Sequence, residues 1–431
     1  MTAKSAGRST QVELDVCVGK AGHLVGHLTY LKAGPREFST FGYADSWLAD
    51  AMRFEVSPDL PLQRGHQTRK ASKDDSSFFF ALADTEPDGW GRRLIARAHA
   101  RERKENASLK ALTELDYLCA VDDFSRIGAL RLRDAKNGHL RTIEEGHRTT
   151  PPLIELEHIM AASRAVERSE ETTNDLKYLL GKGTSLGGIR PKCTVLSDDG
   201  TLALAKFPSV NDARSVTRGE VLALRLAALA GIEVANARVV MIQTRPVALI
   251  RRFDRTTDQG RIAYLSGTSM LQARRNDEHA YTEVVDAMRS HCVNPVEDAR
   301  QLWRRLAFNH LITNVDDHLQ NIGFLYVGQG QWRLSPAFDL NPFPDKDRES
   351  KTWLTEETGP ITSSRELLAH AAYFNLDPTA AQQTFATVVA AVERWREVAQ
   401  SAVVGLTAAE LEDFTPAFEG DALVEARTLL A

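Results

Sequence analysis

Cysteine is scarce in this chain, and the four present, Cys17, Cys119, Cys193 and Cys292, lie far apart. No two stand at metal-ligand or redox spacing, so a zinc ribbon or a Cys-x-x-Cys oxidoreductase is not indicated, and reduced cytosolic thiols are expected. A basic surplus is missing as well. With 53 Lys and Arg against 58 Asp and Glu, the net charge of -5 argues against a standalone nucleic-acid binder, leaving room for a local basic face. Long apolar runs are absent: the most apolar segment, Val221 to Val234, is broken by Arg225 and Glu233 and is too short to span a bilayer. Met1 to Thr10 lacks the apolar core of a secretion signal, and no internal repeat or low-complexity tract stands out. A cytoplasmic protein without a membrane segment is expected. At 431 residues, two or three domains or one large bilobal enzyme fit.

What is present centres on Asn314-Val315-Asp316-Asp317-His318-Leu319-Gln320-Asn321, followed by Asp339 in Ser-Pro-Ala-Phe-Asp-Leu. An acid five residues before an Asn is the loop spacing of kinases, in which the acid handles the attacking hydroxyl's proton and the amide oxygen binds magnesium. Asp339 is the candidate second ligand, since magnesium takes a few hard oxygens alongside phosphates and water. Only Asp316 has this spacing to Asn321, which makes Asp317 a neighbour. The competing reading is a surface turn whose Asp and Asn bond their own backbone. Two flanks weigh against it: an apolar helical stretch, Leu302 to Ile312, precedes the cluster, and Ile322 to Val327 reads as a strand after it. The Asp-Phe-Gly glycine is missing at Asp339-Leu340-Asn341, and Asp316 with His318 and Asn321 matches the Asp-x-His-x-x-Asn of lipid-kinase-like enzymes.

Upstream, Gly181 to Lys192 is rich in small residues whose amides can form an anion nest, although glycine-rich stretches are more often plain turns. A hairpin follows, turning at Asp198-Asp199-Gly200, and its second strand carries Lys206. Lysines on strands are usually solvated, yet kinases keep their phosphate-binding lysine at this place, and Glu220 on the next helix is its natural ion-pair partner. Arg251 to Arg255 reads as a solvated strand end. Tyr264 to Leu271 falls where a hinge between lobes belongs.

At the start, Gln11 to Val18 and Leu24 to Tyr30 predict a hairpin around Lys20-Ala21-Gly22. Arg92 to Arg103 predicts a charged helix that Asp84 could cap, and Leu112 to Val121 another helix. Strands are expected at Ala237 to Ile242 and Val247 to Arg252. Helices are expected at Glu220 to Ala230, Tyr281 to Ser290, Pro295 to Ile312, Arg365 to Ala372, Ala380 to Val403 and Ala408 to Phe414. The stripe Phe385, Val388, Val389, Val392 and Trp395 predicts core packing. The fold class is therefore α+β, bilobal and protein-kinase-like in its lipid-kinase-like variant. Residues 1–150 would form an α/β subdomain, 151–265 an N-lobe sheet with phosphate loop and lysine strand, and 266–431 a mainly helical C-lobe. Thr149 to Pro152 is the linker candidate.

With these motifs in order, the chain resembles the HipA-type serine/threonine kinase toxins of bacterial type II toxin-antitoxin systems. The matching stretches are Thr184 to Lys192, Ala205 to Ser209, Arg252 to Arg255, Asn314 to Asn321 and Ser335 to Asp339, with Leu82-Ala83-Asp84 and Ile127 to Leu130 echoing the family's N-terminal subdomain. The resemblance implies ATP and magnesium between two lobes, Asp316 as catalytic acid, Asn321 and Asp339 as metal ligands, and Lys206 on the phosphates. It implies Gly187, Gly188, Ile189, Arg190, Pro191 and Lys192 as the phosphate loop, Thr268, Ser269 and Met270 near the adenine, and His318, Leu319, Gln320 and Phe338 lining the site. Ser185 matches the family's autophosphorylated serine. A phosphate there would add nearly two negative charges to a loop meant to cradle ATP, expelling it. The expected partners are a HipB-like helix-turn-helix antitoxin and, as substrate, an aminoacyl-tRNA synthetase whose phosphorylation arrests growth. No helix-turn-helix stands out in the chain itself, so DNA would be reached only through the antitoxin. Two other readings share these motifs: a small-molecule or lipid kinase, and a non-catalytic kinase-like corepressor.

Overall fold

The computed structural model describes residues 10–70, 75–87, 89–134, 138–139, 150–181, 188–274, 277–344 and 349–431. The sequence-predicted hairpin forms between Thr10–Val18 and His23–Ala33, where alternating Leu14 and Val16 point inward against Leu28 and Tyr30. It is the centre of a six-stranded antiparallel sheet that adds Arg36–Tyr43 and His66–Lys70 on one side and Leu130–Asp134 and Gly138–His139 on the other. A period of two with one buried face is what fixes that register.

A second antiparallel sheet runs Lys192–Leu196, Leu202–Lys206, Arg245–Arg251, Ala237–Ile242. The helix Val216–Leu229 packs on it and buries Val221, Leu222, Leu224 and Leu226. Two helices unforeseen from sequence, Leu156–Arg168 and Thr173–Gly181, cover its other side. Their apolar residues Leu156, Ile159, Val166 and Leu176 share a core with Val195, Ala203 and Leu249 of the sheet. Trp90 and Leu94 of the helix Gly89–Glu105 enter the same core, so an element inserted between two strands of the first sheet is packed into the second layer.

Beyond the three-stranded sheet of Tyr264–Ser266, Gly323–Gly328 and Gln331–Leu334, the chain is mainly helical. Pro295–Leu311 is its axis: proline at the first turn suits a helix start, and Trp303, Leu306 and Phe308 are fully buried. The stretch expected as one helix over Ala380 to Val403 is two, Pro378–Glu393 and Trp395–Gln400, separated at Arg394. The stripe Phe385, Val388, Val389, Val392 and Trp395 is buried as its spacing required. Overall the fold is α+β, kinase-like, with sheets followed by helices.

A further expectation is overturned. Arg252, Asp254 and Arg255 are not a solvated strand end; they are buried against the turn that precedes Leu130–Asp134. Arg252 and Arg255 hold Asp254 Oδ2 at 2.6 and 2.7 Å, and the Gly128 amide donates to the same oxygen at 2.7 Å. The remaining guanidinium hydrogens find the carbonyls of Ser125, Arg126 and Gly128. Burial alone would raise the Asp254 carboxyl, but the two arginines outweigh it and hold the group well below the usual carboxylate range.

Candidate functional site

Lys206 and Lys192 are Cα partners across the antiparallel pair that opens the second sheet, so both ammonium groups rise from one face. Like charges placed opposite each other repel, and two carboxylates compensate. Glu220 of the helix Val216–Leu229 meets Lys206 Nζ at 2.6 Å, and Asp339 meets it at 2.7 Å. Lys206 and Glu220 are buried and Asp339 is about a quarter exposed. Burial would lower the Lys206 ammonium, yet Asp339 and Glu220 raise it above the ordinary lysine range. Burial would likewise raise Asp339, and Lys206 with Lys192 hold it below the usual carboxylate range. The Lys206–Glu220 pair read from sequence is thus formed, and the lysine faces inward.

Asp339 sits at φ +55°, in the left-handed region, where Asp is tolerated better than most residues. The hydrogen bonds its carboxylate receives fall on Oδ1, from Lys206 and from Asn341 Nδ2 at 3.0 Å. Upstream of it, the helix Pro295–Leu311 ends and Thr313 at φ +52° turns the chain into the polar loop. The side-chain amide of Asn314 bonds Asn309 at 3.1 Å, tying the loop's first residue back to the helix. Asn321 Nδ2 donates to the Asp316 carbonyl at 2.6 Å, closing the loop across the five-residue spacing. Asp316 is half-buried and its Oδ1 faces the Lys351 ammonium, with His318 Nε2 at 3.8 Å. His318, Asn321, Phe338 and Asp339 line one cavity of about 30 Å³, together with Asp317 and Tyr281. That is room for roughly one water. Leu319 and Met270 instead join the main core, and Gln320 is exposed.

Of the phosphate-loop residues, Ser185 and Gly187 lie outside the described residues. Gly188 has φ +88°, and a Cβ there would approach Lys192 Nζ to 2.8 Å, so glycine suits both the backbone and the lysine's path. Its carbonyl accepts from the Trp90 amide at 3.2 Å, at the start of the helix Gly89–Glu105. Ile189 is exposed, Arg190 pairs with Asp212, and the Pro191 carbonyl accepts from Phe207 N at 2.9 Å.

The hinge segment forms a short strand, Tyr264–Ser266, and a helical turn, Gly267–Leu271. Gly267 N donates to the Ile322 carbonyl at 2.8 Å, and a Cβ on Gly267 would reach 2.7 Å from Leu319 O, so hinge and polar loop are in close contact. Ser266 Oγ accepts from Ser269 N at 3.1 Å and caps the turn. Asp84, expected to cap the helix that follows it, does something else. It accepts from Ser266 N at 2.8 Å and from Ser266 Oγ at 2.7 Å, while Ser269 Oγ donates to Phe80 O at 3.3 Å. Burial pushes the Asp84 carboxyl up to about 6 and that of nearby Glu86 up to about 7. Lys351 and the Asp84–Ser266 link were absent from the sequence reading. Only the acid-rich Asp84 to Asp88 stretch and the position of Tyr264 to Leu271 hinted at the latter.

Asp339 thus joins two groups: it bonds Lys206, which Glu220 also holds across from Lys192, and it lines a small cavity with Asn321 and His318. Asn321 and Asp339 carry hard oxygens of the kind that a magnesium ion takes, and they line the same cavity.

Comparisons with known proteins bear on the family and the fold. Residues 14–132 match the family model described as HipA N-terminal domain, and residues 184–396 match the HipA-like C-terminal domain. Y4mE of Sinorhizobium fredii, whose name assigns it provisionally to the kinases, is 24% identical over 74% of this chain and 75% of its own. A similarly named protein of Haemophilus influenzae is 23% identical over 38% of this chain and 55% of its own. Among solved structures, HipA of Shewanella oneidensis, in complex with HipB and operator DNA, superimposes with a TM-score of 0.69. It is 16% identical, covers 96% of this chain and 97% of its own, and shares the fold.

Proposed function

This chain belongs to the HipA family, and we propose that it is an ATP- and magnesium-dependent protein serine/threonine kinase acting as a growth-arresting toxin. The observation that carries the reading is the contact of Lys206 with both Glu220 and Asp339, the latter lining one cavity with Asn321. In-line phosphoryl transfer needs positioning and charge neutralisation more than covalent chemistry, and these residues supply both. Lys206 and Lys192 put positive charge where ATP's phosphates would rest. Glu220 keeps Lys206 ionised and aimed. Asp316 would orient the attacking hydroxyl and take its proton, and Asn321 fixes that acid's backbone. Magnesium, held by Asn321 and Asp339, would neutralise charge on the phosphate oxygens. The backbone of Thr268 to Met270 would face the adenine, with Gly187 to Lys192 around the phosphates and His318 to Asn321 and Phe338 as walls.

The same reading extends to Ser185 as a self-modified residue, a HipB-like helix-turn-helix antitoxin as partner, and an aminoacyl-tRNA synthetase as substrate. Incubation with [γ-32P]ATP, magnesium and a cell lysate tests it. A discrete labelled protein and a phosphate on Ser185 by mass spectrometry are expected, both lost in Asp316→Asn. Label appearing only in a small molecule would replace the protein-kinase reading, and failure to bind Mg-ATP by calorimetry would replace the enzyme with a non-catalytic partner.

A further inference from the structure

Beside the half-exposed Asp316 lies a second acid that the catalytic spacing leaves without a task, and it is the better held of the two. Asp317 is buried, and its carboxylate accepts from Tyr281 Oη at 2.6 Å, from Ser350 Oγ at 2.7 Å and from Lys351 N at 3.2 Å. Its carbonyl accepts from Thr352 Oγ1 at 2.8 Å. The fastening continues one residue on, where Trp353 N donates to His279 O at 2.9 Å beside the start of the helix Tyr281–His291. Four consecutive residues, Ser350 to Trp353, are thereby fixed between the polar loop and that helix. The side chain left pointing out of this fastening is Lys351, and its ammonium lies on Asp316 Oδ1.

We propose that Asp317 and Lys351 are positioning residues for phosphoryl transfer: Asp317 clamps Ser350 to Trp353 onto the catalytic loop, and the clamp sets the Lys351 ammonium against Asp316. Lys351 is more than half exposed, so an unclamped ion pair there would be screened and short-lived. Anchoring the neighbouring backbone removes most of the entropy that such a pair loses on forming. Held in place, the ammonium fixes the orientation of the Asp316 carboxylate and puts a positive charge where negative charge gathers during transfer. The role given to Asp316 rests on the kinase reading above; the clamp itself does not.

The experiment therefore has two arms, run on the full chain. Amide hydrogen exchange is measured at Lys351 and Trp353 in the wild type, Asp317→Ala, Tyr281→Phe and Lys351→Met. Exchange at least tenfold faster is expected in Asp317→Ala, with a smaller rise in Tyr281→Phe, which keeps the ring and guards against loss of folding, and none in Lys351→Met (order of magnitude from local-opening energetics). The initial rate of labelled-phosphate transfer is then measured against Mg-ATP concentration. Asp317→Ala and Lys351→Met are expected to lower the saturating rate roughly tenfold while the half-saturating ATP concentration stays within about twofold, and Lys351→Arg to regain most of the rate. Unchanged exchange at both amides in Asp317→Ala and Tyr281→Phe overturns the clamp, and full-rate transfer by Lys351→Met overturns the role of the ammonium. A wild type that transfers no phosphate sinks the kinase reading and with it the role of Lys351, while the exchange arm still decides the clamp.

Discussion

Asp254 and Asp339 are both carboxylates held below their usual range by two cations, yet the protein treats them differently. Around Asp254 every partner is supplied by the chain: two guanidinium groups, the Gly128 amide, and behind them the carbonyls of Ser125, Arg126 and Gly128. Around Asp339 the bonds converge on one oxygen, the backbone is left-handed, and the lysine it holds is shared with Glu220. The first cluster is closed and joins the turn before Leu130–Asp134 to the second sheet. The second borders a cavity. Residue type and charge are nearly the same; what separates the two is whether the chain surrounds the carboxylate on every side.

That contrast can be broken most severely at Asp254. Asp254→Ala leaves two buried guanidinium groups without their anion and is expected to destabilise the fold by about 3–5 kcal/mol, read from urea denaturation. Asp316→Asn should do the reverse: transfer falls by about a hundredfold or more, while the denaturation midpoint barely moves, because the side chain is half-exposed. Equal losses of stability in the two variants would erase the distinction. Between these extremes, Glu220→Gln should weaken Mg-ATP affinity by roughly tenfold, since it releases the lysine from one of its two aiming partners, and calorimetry would show it. The smallest effect is one of pH. Asp84 has a folded-state value raised to about 6 against an unfolded value near 4, so its contribution to stability is present below about pH 4 and is lost as pH rises through 6. Asp84→Asn should flatten that slope by about 1 kcal/mol across the window, after allowance for partial exposure.

The site was legible to the extent that its geometry is local in sequence. Asn321 stands five positions after Asp316, and one amide-to-carbonyl bond closes that loop. Lys206 and Glu220 belong to adjacent elements, so hairpin and helix signals sufficed to pair them. Arg252 to Arg255 defeated the same approach because their partners lie some 125 residues upstream, and a charged run with distant partners looks identical to a solvated one. Asp84 was misread for a similar reason: a capping residue and a long-range acceptor have the same side chain, and only the fold reveals that Ser266 is nearer. The helices Leu156–Arg168 and Thr173–Gly181 went unseen although their apolar residues recur at helical spacing, which was a signal available and not used.

The stretch Phe80 to Trp90 touches the hinge through Asp84 and the phosphate loop through Trp90, some distance from either kinase lobe in sequence. Two segments assigned above to the proposed nucleotide site are therefore braced from the part of the chain that matches the HipA N-terminal domain. Exchanging the first sheet for another module would have to preserve both bonds in register.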